Sequence, residues 1–154
     1  MRTKTILATL GVFLGGIALC LAADAQMGTW KLNEGKSKLA PGMGKNSMVV
    51  YAAAGDGVKV TVDGTDKDGK AQHNVWVGKF DGKDYAVTGD PSSDMRSYTK
   101  VDDHTLDISS KKGGKVMMSA RVVVSADGKT RTITVSGTDA NGKAVSSTGV
   151  YDKQ

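Results

Sequence analysis

The chain has 154 residues, with 21 Lys and Arg against 16 Asp and Glu, a formal net charge of +5 and only 5% aromatic residues. That length supports one domain and excludes two cores of ordinary size. The basic residues stand singly in turn-like stretches beside Asp or Gly, which excludes the clustered Lys/Arg and stacking aromatics of a nucleic-acid footprint.

The first segment is set apart by composition. Arg2 and Lys4 precede an uncharged run from Ile6 to Ala22, and the run closes on Ala23-Asp24-Ala25. A basic start, an apolar middle and an A-x-A end make a secretory signal peptide over residues 1–25, with cleavage expected after Ala25. The run is short for a bilayer core of about 30 Å and holds three glycines, so an uncleaved anchor is the poorer reading. The only cysteine, Cys20, sits here, and Leu19 just before it argues against a lipoprotein anchor, whose peptidase favours a small residue at that place. The expected location is therefore the periplasm or the exterior. The domain that remains, 26–154, carries a net charge of +4 and no thiol, so it holds neither a disulfide nor thiolate chemistry.

Gly28-Thr29-Trp30-Lys31-Leu32 opens the domain, with a strand expected from Trp30 to Asn33. Residues 34–45 contain three glycines and Pro41, which argues against a stable helix. From Asn46 onward the hydrophobic period is two, and strands are expected at 46–54, 57–65, 71–80, 84–88, 95–101, 104–110, 115–125, 130–138 and 144–152. Val58, Val60 and Val62 face one way, with Lys59, Thr61 and Asp63 the other. The run Val116 to Val124 is apolar on both faces and is expected to be the most enclosed strand. Gly78 and Gly149 lie inside strand patterns, where bends or bulges are expected.

The connections are short and built on Asp, Asn and Gly, as in Ala54-Gly55-Asp56-Gly57 and Asp127-Gly128-Lys129, which suits hairpins. Tight turns join antiparallel neighbours, because a parallel crossover needs a dozen or more residues. The fold class is thus all-β, an antiparallel meander of eight to ten strands. Closure into a β-barrel is favoured over two stacked sheets, because it removes unpaired edges. The stretch 60–71 recurs 73 positions later as 133–144, so both are expected to be hairpins of one register, by duplication or by convergence on one turn recipe.

Sites of chemistry are sparse. Asp63, Asp66 and Asp68 before Gly69 fail as a calcium loop, since Gly64 and Val75 stand where its first and last ligands are required. His73 and His104 have no third ligand at metal spacing, so no metal is expected; His73, beside Asn74 and Trp76, is placed for reach into a cavity. No nucleophile elbow, P-loop, zincin or dinucleotide motif occurs, so neither an enzyme nor a cofactor is expected.

Gly28-Thr29-Trp30-Lys31-Leu32 resembles the opening of the calycin superfamily, in wording most similar to fatty-acid-binding proteins, and Val150-Tyr151-Asp152-Lys153 resembles their ending. The resemblance covers the two ends and the general layout. It implies a lipocalin-like, lipid-binding barrel, with Gly28 and Trp30 structural and Trp30 plugging the closed end. The family's helix pair has no room in residues 34–45, and its ligand-holding Arg is replaced by Gly149. Arg96, Arg121 and Arg131 are then the strand-borne candidates for a carboxylate. Trp76, Tyr98, Arg121 and Tyr151 are the expected cavity wall and its polar handle. The expected activity is non-catalytic binding of a small apolar or amphipathic, lipid-like molecule by a monomer. The alternative is an envelope protein acting through its outer surface, as a protease inhibitor or interaction module.

Overall fold

The computed structural model describes residues 24–138 and 142–154, so the expected signal peptide lies outside the described residues apart from Asp24 and Ala25. Ten antiparallel strands form one closed barrel: β1 Gly28–Leu32, β2 Lys45–Ala54, β3 Gly57–Thr65, β4 Ala71–Gly78, β5 Tyr85–Thr88, β6 Met95–Lys100, β7 Thr105–Lys112, β8 Lys115–Val124, β9 Thr130–Thr138 and β10 Ala144–Lys153. Every strand pairs with its sequence neighbours, and β1 joins β2 on one side and β10 on the other. The opening and closing motifs therefore meet at one seam, with Trp30 opposite Lys153 and Leu32 opposite Tyr151.

Alternation decides what lies inside. On β3, Val60 and Val62 are buried while Lys59 is exposed, and the same period runs through β7, where Leu106, Ile108 and Ser110 are buried. Gly55 and Gly128, with φ of 60° and 70°, supply the left-handed backbone that their tight turns require. The two echoing hairpins do share one register: Val62 pairs with Asn74 on β3–β4, and Val135 pairs with Ser147 on β9–β10, 73 positions later in both strands.

Two expectations are corrected. β8 is not the most enclosed strand: Val123 is 44% exposed and Val116 51%, because a closed sheet with no covering layer leaves one face of every strand in water. Gly149 makes no bulge. It pairs regularly with Ile133, and the register shifts fall instead at Asn46/Met48 and at Ser110/Lys111.

The ends of the barrel differ. Strand direction brings the turns at 55–56, 79–84, 101–104 and 125–129 to one end, where residues 24–27 fold across the opening. Trp30 is fully buried there among core side chains that include Leu106, Val122 and Val124, and its indole N–H donates to the Gln26 carbonyl at 2.8 Å. Gln26 is buried too, with its side-chain amide donating to the His104 carbonyl at 3.0 Å. Burial of each large side chain contributes about 1.5–3 kcal/mol, so this closed end is a true core. At the opposite end residues 33–44 cross the mouth, tied down by the Lys38–Thr148 backbone bridge and by the Ala40 amide donating to Ser147 Oγ at 3.1 Å.

Candidate functional site

The mouth end encloses a cavity of about 580 Å³. Its walls come from inward-facing positions of β8, β9 and β10, namely Met118, Ile133, Val135 and Tyr151, and from Arg96, Asn74 and Ser110 opposite. The hollow is lined by small residues, Ser110 on β7 and Ser147 and Gly149 two positions apart on β10, which leave space that larger side chains would fill. A Cβ on Gly149 would come within 3.1 Å of both Ile133 and Tyr151, so any larger side chain there projects into the hollow.

Two guanidinium groups lie inside the barrel, and their surroundings are opposite. Arg96 is fully engaged: Nη2 donates to Asp90 Oδ2 at 2.9 Å, Nη1 to Asn74 Oδ1 at 3.2 Å and Nε to Ser110 Oγ at 3.2 Å. Burial disfavours the Asp90 charge, yet donors from Ser92 and Ser93 and the Arg96 cation together hold its carboxyl below the usual range. The β5–β6 loop is thereby fastened to the cavity wall.

Arg131 is only 2% exposed and has no carboxylate partner among the described residues. Nη2 donates to the Tyr51 hydroxyl at 2.9 Å, and the guanidinium carbon lies 5.0 Å from the Tyr51 ring centre and 5.4 Å from that of Tyr151. Its Nε and Nη1 are buried without a hydrogen-bond partner among the described residues. Burial pushes the Tyr51 hydroxyl above the usual phenol range despite the neighbouring cation, so Tyr51 stays a neutral acceptor. Tyr151 separates this cation from the cavity and donates its own hydroxyl to the Asn46 carbonyl at 2.9 Å.

The four side chains expected at a ligand site fall in three places. Tyr151 lines the cavity. Trp76 and Tyr98 belong to the buried aromatic cluster beneath it, with ring centres 4.5 Å apart, Phe80 and Tyr85 against Trp76, and the Trp76 indole N–H donating to the Arg96 carbonyl at 2.8 Å. Arg121 lies on the outer surface and binds Asp107 through two bonds of 2.7 and 2.8 Å. His73 is also outside, 2.6 Å from Asp63. The sequence carried a signal for the interior cation: Arg131 shares a face with Ile133 and Val135, whereas Arg121 falls between the inward Ala120 and Val122.

A second hollow of about 570 Å³ lies on the outer face of β6–β9, lined by Thr99, Ser109, Ser119, Thr134 and the Asp107–Arg121 pair. Its two charges satisfy each other, and the rest of its lining is hydroxyls with Ile108 and Ala120. Among the described residues no group of His, Cys, Asp or Glu is arranged to hold a metal ion, and no helix is long and apolar enough to cross a membrane.

The fold and this cavity define a class: a closed ten-stranded antiparallel barrel with one plugged end and one hollow end, an architecture compatible with calycins. Comparison with known protein families and with curated proteins returned no match.

Proposed function

We propose that this protein is an exported, non-catalytic binding barrel whose mouth cavity takes a small amphipathic molecule with an anionic head. The observation that carries the reading is the pairing of a part-apolar hollow of about 580 Å³ with a buried guanidinium, just behind its Tyr151 wall, that has two N–H-bearing nitrogens unpartnered. A buried charge without a counter-ion is costly, and an anionic head would offset that cost when the Tyr151 ring swings aside. The volume lies within the range of small-molecule sites, and Met118, Ile133 and Val135 supply the apolar contact such a molecule needs.

The test is a titration of a medium- or long-chain fatty acid and of its uncharged alcohol, followed by tryptophan fluorescence and native mass spectrometry. Saturable one-to-one binding, tighter for the acid by about tenfold or more, is the expected result. Absence of saturable binding by either compound would overturn the reading.

A further inference from the structure

The rim of the cavity carries a feature that the interior does not explain. The β7–β8 hairpin ends in Lys112-Gly113-Gly114-Lys115, with Lys112 paired to Lys115 and Lys111 to Val116. Val116 is 51% exposed and Met117 46%, side by side in sequence just behind the tip. Met117 also lines the cavity mouth, as do Leu39 and Met43 from the crossing segment. Met95, 39% exposed, lies on the same outer face two strands away from Val116, with Lys111 between them.

Lysines and acids both stand beside this strip, and the acids are engaged while two of the lysines are not. Lys112 and Lys115 are exposed and form no ion pair among the described residues, whereas Lys111 is held by Asp84 at 2.7 Å. The acid packed against the tip, Asp94, has one oxygen occupied by the Gly113 amide at 2.9 Å. A folded protein partner would call for a shaped pocket or an aromatic anchor, and the tip offers neither. Its two glycines have no atom near their missing side chains, so the tip stands in open space. Half-exposed aliphatic and methionine side chains flanked by lysines match a fluid interface with anionic headgroups.

We propose that this rim docks on an anionic lipid surface, with Val116 and Met117 entering the headgroup region and Lys112 and Lys115 meeting lipid phosphates. The purpose of such docking, passage of an amphipathic molecule between bilayer and cavity, rests on the cavity reading; the docking itself does not. The shared position of Met117 at the strip and at the cavity mouth joins the two.

The experiment is co-sedimentation with vesicles of phosphatidylcholine alone or mixed with phosphatidylglycerol. Binding to the mixed vesicles only, lost in high salt, is expected. The double variant Lys112→Gln/Lys115→Gln should bind on the order of thirtyfold more weakly, and Val116→Ser/Met117→Ser should also lose most binding. Val101→Ser, which alters an equally exposed valine in the turn between β6 and β7 at the plugged end, should leave it unchanged. No binding to mixed vesicles, or equal loss in the Val101 variant, would overturn the proposal. A cavity-filled Gly149→Phe protein separates the readings: it should still sediment with mixed vesicles while failing to take up fatty acid, and loss of sedimentation in that folded variant would count against a docking site on the rim.

Discussion

Arg131 and Tyr151 stand directly opposite each other on β9 and β10, both pointing inward, with the guanidinium carbon 5.4 Å from the ring centre. The pair places a cation at the floor of the hollow half of the barrel, screened by one aromatic ring. Cation–π contact with two tyrosines and one hydrogen bond to Tyr51 recover part of the desolvation cost, and two nitrogens recover none.

An arginine kept at such a cost should be a stability liability in the empty protein. Arg131→Met, similar in length and uncharged, is expected to raise the unfolding free energy of the empty domain by about 1–3 kcal/mol, read from urea denaturation. The same variant should lose the preference for fatty acid over alcohol. A drop in stability would mean that the guanidinium is satisfied by groups other than those identified.

The hollow depends on the missing side chain at Gly149. Gly149→Leu must push against Ile133 and Tyr151, each 3.1 Å from the new Cβ, and should cost about 1–3 kcal/mol of stability. More telling is the ligand effect: the leucine fills the space beside Tyr151, so binding of any chain-bearing molecule should fall at least about tenfold while the circular dichroism of the barrel is retained. Undiminished binding would place the ligand elsewhere.

How far these features were legible in the sequence follows from their range. The hairpins were readable because each is local: a period of two, then an Asp-Gly or Asn-Gly turn, fixes strand and neighbour together, and observed strand ends differ from those expected by only about two residues. The place of Trp30 at the closed end was expected from the resemblance of Gly28-Thr29-Trp30 to calycin openings, and no local pattern carries it. The cavity was not, because Ser110 on β7 comes to line one hollow with Ser147 and Gly149 on β10 only through the curvature and stagger of the closed sheet, which no local pattern encodes. Arg131 was within reach, since its face is shared with Ile133 and Val135. It was one of three arginines named for a carboxylate: Arg96 and Arg131 lie inside, whereas Arg121 falls on the outer face by the same alternation, and Trp76 and Tyr98 point inward below the hollow.

Asp90 gives the mouth an acid-sensitive fastening. Its folded-state carboxyl titrates below the unfolded value of about 3.9, so its contribution to stability is complete above that value and is lost as pH falls through the folded one. Asp90→Asn should therefore flatten the acid limb of the stability profile below about pH 4. At neutral pH it should cost about 3 kcal/mol, because Arg96 is left buried with its charge unpaired. An unchanged acid limb in the variant would show that other carboxylates govern it.

The register of β8 can be tested with two adjacent valines. Val122 is fully buried, facing the barrel interior at the plugged end, whereas Val123 is 44% exposed on the outside. Val122→Ala removes two methyl groups from a close-packed wall and should cost about 2 kcal/mol through lost burial and the void that remains. Val123→Thr keeps the branched shape on a water-facing strand position and should change stability by less than about 0.5 kcal/mol. The ordering is the decisive outcome. A slip of one residue along β8 would exchange the two faces, making Val123→Thr the costly change and Val122→Ala the mild one, and it would carry Arg121 into the barrel. Thermal melts of the two variants beside the parent measure that ordering directly, and equal losses would be incompatible with a single fixed register.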